Sequence, residues 1–169
     1  MEGYAGQQFV GIDLHRRRSV IVRTTAAGEV LESVRIVNDA GRLGEVVSRA
    51  GEAPEVVLEA TYGWYWAVDA LQAAGASVHL AHPLGVKAFA YRRVKNDLRD
   101  AADLADLLRM GRLPEAWVAP PATRELRELV RHRALCRRRH RARYAERRVM
   151  PRWWWVGWSG AVIGWGSSA

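Results

Sequence analysis

Four acidic side chains stand where a fold would normally avoid them. Asp13 ends the apolar run FVGI, Glu59 ends VVL, and Asp97 and Asp100 open the segment DLRDAADLADLL. Carboxylates brought into a fold must be paired, hydrogen-bonded or metal-bound. Hard oxygen donors suit magnesium or manganese, so the chemistry expected is metal-dependent attack on a phosphodiester. Lys95, just before the last segment, could touch phosphate, though a plain exposed lysine is the simpler reading. His15, two residues past Asp13, is near enough to touch a metal or DNA, but a lone histidine reads first as structural.

The elements that position these groups follow from apolar spacing. Residues 8–15, 18–25 and 29–37 read as three tightly linked strands, an antiparallel meander with AAG as its second turn. Asp39 is placed to cap a helix over 40–50 with Leu43, Val46 and Val47 on its inner stripe. A strand over 55–60, a helix over 63–74 ended by Gly75 and a strand over 77–81 come next. The order β-β-β-α-β-α-β predicts an α/β fold, and the strands that end in Asp13 and Glu59 can lie side by side in a mixed sheet.

A short helix over 84–92 and a stronger one over 98–110 come after Pro83. At about 100° per residue, Ala101, Leu104, Ala105 and Leu108 of the stronger helix form one stripe. Asp97 projects along that stripe and Asp100 lies at its border, an i,i+3 pair able to reach one site. Asp103, the reserve candidate, and Asp106 rotate to the far face, into water. Trp64, Tyr65 and Trp66 open the 63–74 helix, where their rings are expected to pack rather than stack on bases.

Residues 113–121, with three prolines, read as an extended linker, and a charged helix spans about 122–148 with Thr123 as its cap. The net charge of +8 is concentrated in that helix and just beyond it. Residues 131–152 carry ten arginines against Glu146 alone, while residues 1–130 hold 16 basic and 17 acidic side chains. Arginine forks match phosphate and release counterions, so Arg131, Arg133, Arg137, Arg138, Arg139 and Arg141 are candidates for nucleic-acid contact. The competing reading is a solvated helix face.

The single Cys136 excludes an intrachain disulfide, and MEGYAGQQ has no apolar leader. No stretch reaches the roughly 20 apolar residues a membrane span needs. The expectation is a cytoplasmic, nucleoid-associated protein. Residues 150–169 are anomalous: five of the eight tryptophans fall there among glycines and serines, without periodicity. Arginine outnumbers lysine 24 to 2, which points to a GC-rich gene, so the tail is expected to be a frameshift or truncation product. The organisation expected is a flexible N-terminus (1–8), a catalytic domain (9–112), a linker (113–121), a basic helix (122–149) and an aberrant tail (150–169).

GID near the start, LEAT before an aromatic helix, HPLGVKAFA, and K-x-D-x-x-D-A before an L-A-x-L-L helix resemble, in this order, the N-terminal half of the DEDD insertion-sequence transposases. These are Piv-like recombinases with a RuvC-like catalytic domain, and the resemblance covers about residues 9–148. It implies a ribonuclease H-like mixed sheet flanked by helices. It also implies a magnesium-binding tetrad, matched by Asp13, Glu59, Asp97 and Asp100. Its partners would be DNA at the element ends and target, in some relatives a structured guide RNA, and other copies of the full-length chain, with no membrane involved. Asn96 stands where relatives more often have Thr, and Ala60-Thr61-Tyr62-Gly63 follows Glu59 where many place Gly directly after Thr.

Relatives continue into a second domain bearing a serine thought to attack DNA. Ser159, Ser167 and Ser168 match no motif of theirs, so the expectation is weak nuclease activity at most. The function expected is that of a truncated DNA transposase or recombinase. The alternatives are a catalytically silent nucleic-acid-binding remnant and another ribonuclease H-like nuclease. An actin-like kinase half ranks last, since HRRRS at 15–19 offers no phosphate loop.

Overall fold

A computed structural model describes residues 4–61, 63–89 and 96–148, with side chains to residue 141. Lys95 and the tail over 150–169 lie outside the described residues. The chain divides into two units, Met1–Val118 and Ala119–Ala169.

In the first unit, β1 (Gln8–Leu14), β2 (Arg18–Thr25) and β3 (Val30–Val37) form the antiparallel meander. Two parallel strands extend it: β4 (Glu55–Glu59) against β1, and β5 (Ser77–Ala81) against β4. A two-residue β6 (Glu115–Ala116), inside the stretch expected to be only a linker, adds antiparallel to β5. The order β3-β2-β1-β4-β5-β6 is a ribonuclease H-like mixed sheet with β1 and β4 at its centre.

Strand alternation divides the core into two layers. Val10, Ile12, Leu14, Val56, Leu58 and Leu80 pack with α1 (Ala40–Ser48) and α2 (Tyr65–Ala73) through Leu43, Val46, Val47, Val68 and Leu71. The opposite face, with Val20, Val22, Val57 and Ala81, receives α4 (Asp97–Arg109) through Ala101 and Leu104. Each fully buried aliphatic side chain contributes roughly 1.5–3 kcal/mol. Trp64 and Trp66 pack on the first layer rather than offering open rings. Asp39 caps α1, accepting from the Arg42 amide at 2.9 Å.

The α4 layer depends on one close approach. A Cβ on Gly11 would lie 1.9 Å from the Ala101 carbonyl oxygen and 2.9 Å from the Ala105 amide nitrogen. Only glycine in β1, facing the small side chains of α4, lets helix and strand come this near. Along α4 the buried positions are Ala101, Leu104, Ala105 and Leu107, with Leu108 partly buried. Asp103 is exposed. Asp106 is not simply in water: it holds Arg109 at 3.1 Å, and Arg109 donates to the Ala26 carbonyl at 3.3 Å. The helix end thereby grips the β2–β3 turn.

A short helix, α3 (Pro83–Lys87), precedes α4. The second unit contains α5 (Pro121–Arg148), one continuous helix. It starts at Pro121, where a missing N–H costs nothing, and the Arg124 amide donates to the Pro120 carbonyl. Thr123 therefore lies inside the first turn and is not the cap. Leu126, Leu129 and Val130 are exposed. Among the described residues no helix is long and apolar enough to cross a membrane.

A candidate metal centre beside an arginine turn

Parallel pairing places the first two acids. Ile12 of β1 lies opposite Leu58 of β4, so Asp13 and Glu59 leave neighbouring strands one step later, at their C-terminal ends. Both point to the α4 side, as Gly11 and Val57 do. The close approach at Gly11 brings the first turn of α4 over the same end, and with it Asp97 and Asp100. Asn96 caps that turn, its Oδ1 accepting from the Leu98 amide at 3.1 Å. The asparagine that departs from the commoner threonine is therefore an equally good cap.

The tightest group consists of Asp13, His15 and Asp97, whose ligand atoms all lie within 4.8 Å of one another. His15 Nε2 is 3.0 Å from Asp13 Oδ2 and 3.6 Å from Asp97 Oδ1. Glu59 and Asp100 are not in this trio, yet both act on Asp13. Burial pushes the Asp13 carboxyl above its ordinary pKa, His15 opposes this, and Asp97, Asp100 and Glu59 add to the rise in that order. The imidazole is within ion-pair distance of Asp13 Oδ2 but poorly directed for a hydrogen bond. That buried oxygen has no hydrogen-bond partner among the described residues.

An orphaned, buried carboxylate oxygen crowded by like charge is what a divalent cation satisfies. The carboxylate donors suit a hard divalent cation, whereas the His15 imidazole is a donor that later transition metals favour. All four acids named from the sequence thus converge on one end of the sheet, although only Asp13 and Asp97 belong to the inner group. His15 joins them. The signal available for it was the two-residue strand period, which puts Asp13 and His15 on one side.

Arg35 of β3 holds Asp97 from the other side, its guanidinium 3.3 Å from Oδ2. An open cleft of about 550 Å³, lined by His15, Arg16, Arg17, Arg18, Val20, Arg35 and Asp97, runs from this point. Spacing alone gave no reason to select these arginines. Of the arginines that were selected, Arg131, Arg133, Arg137, Arg138, Arg139 and Arg141 are exposed on α5, and Arg131 pairs with Glu128.

A family model described as a transposase matches residues 10–147. The structure of Thermus thermophilus RuvC is similar with 18% identity and a TM-score of 0.48, over 65% of this chain and 100% of that one. RuvC from T. thermophilus in complex with Holliday junction substrate gives 17% identity and a TM-score of 0.47, over 65% and 99%. Ethanolamine utilization protein EutJ from Carboxydothermus hydrogenoformans gives 15% and 0.33, over 48% and 38%. No curated protein matches the chain.

Proposed function

The chain belongs to the DEDD transposase family, and from that premise we propose that it carries out metal-dependent cleavage of DNA strands at the centre built on Asp13, Glu59, Asp97 and Asp100, the rejoining step falling to the serine-bearing second domain of its relatives. The observation that carries the reading is Asp13 Oδ2, buried with no hydrogen-bond partner among the described residues, His15 3.0 Å away as its counter-charge, and the charges of Asp97, Asp100 and Glu59 acting on the same carboxyl. Such an arrangement costs stability, and a divalent cation offsets that cost.

Asp13 and Asp97 are the inner ligands in this reading, with Glu59 and Asp100 beside them. Held by these carboxylates, magnesium or manganese would supply a charge that polarises a phosphoryl oxygen and lowers the pKa of an attacking hydroxyl. The protein's own contribution is rigidity. Asp13 and Glu59 are held by paired central strands, and Asp97 and Asp100 by a capped helical turn over Gly11. His15 bridges the two inner carboxylates. The arginines of α5 bind the DNA backbone without reading its sequence. A structured guide RNA and self-association belong to the same proposal.

The test is incubation of labelled element-end DNA with the protein in magnesium, in manganese and in EDTA. Cleavage only with metal, lost in Asp13→Asn and retained in Asp106→Asn, supports the reading. Cleavage that persists in EDTA or in Asp13→Asn removes it. A binding-only remnant would retain the DNA and leave it intact throughout.

A further inference from the structure

The β1–β2 turn and the first residue of β2 present Arg16, Arg17 and Arg18 in sequence, all exposed. None has a carboxylate partner among the described residues, whereas Arg23, Arg42, Arg49 and Arg109 of the same unit each pair with one. Three guanidinium groups without a carboxylate partner among the described residues thus stand in succession on the wall of the cleft that Asp97 and His15 also line; Arg99 and Arg112 of the same unit share that lack but do not line it.

The turn is held in shape by a residue from another element. Asn38, just past β3, donates from Nδ2 to the His15 carbonyl at 2.7 Å and from its amide to the Arg17 carbonyl at 3.0 Å. Its Oδ1 accepts from the Ser19 hydroxyl at 2.7 Å, and the His15 amide donates to the Arg18 carbonyl at 3.1 Å. Three bonds through one asparagine fix a loop that would otherwise be a mobile run of like charges. A cleft of this volume falls within the range of small-molecule sites. Four guanidinium groups, an imidazole and a carboxylate line it beside Val20, and that excess of cations suits a polyanion lying across them.

We propose that Arg16, Arg17, Arg18 and Arg35, presented by the Asn38-pinned turn, grip the phosphodiester backbone of the DNA strand that runs onto the carboxylate centre. The proposal rests on the reading of that centre as the place of reaction. Each guanidinium fits a phosphate with a two-pronged fork. Arg35, whose guanidinium donates to Asp97 at 3.3 Å, sits where strand grip and carboxylate cluster meet. The cleft is lined by residues of the first unit, and substitutions there measure its contribution.

Fluorescence anisotropy of a labelled single-stranded DNA, with the full chain in EDTA across a sodium chloride series, tests it. Single-strand affinity falls with salt by about 0.7 in logarithmic slope per phosphate contact. The combined change Arg16→Ala, Arg17→Ala and Arg18→Ala should lower the slope by about 2 and weaken binding at least tenfold at low salt. Asn38→Ala, which keeps every charge, should weaken binding several-fold because the turn loses its shape. The arginine changes lie on exposed residues and leave the fold intact, as thermal melting will show.

Unchanged slope and affinity in the triple variant would overturn the proposal, and an unaffected Asn38→Ala would overturn the built cleft. An RNA of the same sequence that depends on the turn more than DNA does would overturn the assignment to the DNA strand. Magnesium titration of the triple variant separates this proposal from the previous one. Retained metal binding with lost DNA binding supports the cleft, while absent metal binding in the unaltered protein undermines the proposed catalysis and leaves the DNA result standing.

Discussion

Gly11 of β1 and Ala101 of α4 meet backbone to backbone, with no room for a methyl group: a Cβ on Gly11 would stand 1.9 Å from the Ala101 carbonyl oxygen. Asp13 lies two residues beyond Gly11 on the same face of the strand, and Asp97 lies one helical turn before Ala101. The contact therefore sets the separation of the two inner carboxylates, and packing and chemistry share one point of control.

Gly11→Ala should push α4 off the sheet. Overpacking of this kind costs about 1–3 kcal/mol, and a backbone obstacle belongs at the upper end. Urea unfolding should show the loss, and manganese affinity should fall although no ligand has been altered. Unchanged metal affinity would mean that the helix is not what positions Asp97.

Asp13→Asn should raise the melting temperature of the metal-free protein at neutral pH, by roughly a few degrees. Burial, with Asp97, Asp100 and Glu59 adding to it against His15, holds the Asp13 pKa above its ordinary 3.8. A carboxyl with a raised folded pKa loses stability as pH climbs from the ordinary value through the raised one, and the deficit persists above it. The asparagine removes that deficit. Magnesium should then stabilise the unaltered protein and not the variant.

His79 supplies a pH dependence remote from the metal. Protonated, it donates from Nε2 to Glu55 at 2.6 Å and from Nδ1 to Glu115 at 2.8 Å, joining β4, β5 and β6. Burial is the largest single influence and lowers its pKa, but the hydrogen bonds and charges of the two glutamates together outweigh it and leave the pKa raised above 6.5. The stabilisation is therefore full below about pH 6.5 and fades as pH rises through the folded value. Thermal melting of His79→Gln beside the unaltered protein should show a gap at pH 6 that closes in alkali. A gap independent of pH would assign His79 a packing role only.

Replacing Arg131, Arg133, Arg137, Arg138, Arg139 and Arg141 with alanine should weaken duplex DNA binding uniformly across sequences. The cations lie around most of the helix, so about half can face one duplex. The salt slope should then fall by about 3, at 0.9 per phosphate. A variant that binds duplex as well as the unaltered protein would reduce the segment to a solvated face.

The placement of the four acids at one end of the sheet was legible because local sequence carries it. An apolar run broken by a carboxylate marks the end of a buried strand, as at Asp13 and Glu59, and a 100° wheel aims Asp97 and Asp100 inward. What was not legible depends on contacts between distant segments. Arg35 reaches Asp97 from 62 positions away, and the hold of Asn38 on the arginine turn joins two loops that no spacing rule connects. Gly11 reads as an ordinary strand glycine until a helix crosses it. Two residues were too few to announce β6, and Asp106 turned from water to Arg109 because the β2–β3 turn lies beside it.

The central claim is that Asp13, Glu59, Asp97 and Asp100 together hold a divalent cation. Calorimetric titration of manganese into the full chain and its single variants measures this directly. Binding should be clear in the unaltered protein, abolished in Asp13→Asn and Asp97→Asn, weakened in Glu59→Gln and Asp100→Asn, and unchanged in Asp106→Asn. Equal binding by the unaltered protein and Asp13→Asn, or no binding by either, would contradict the account.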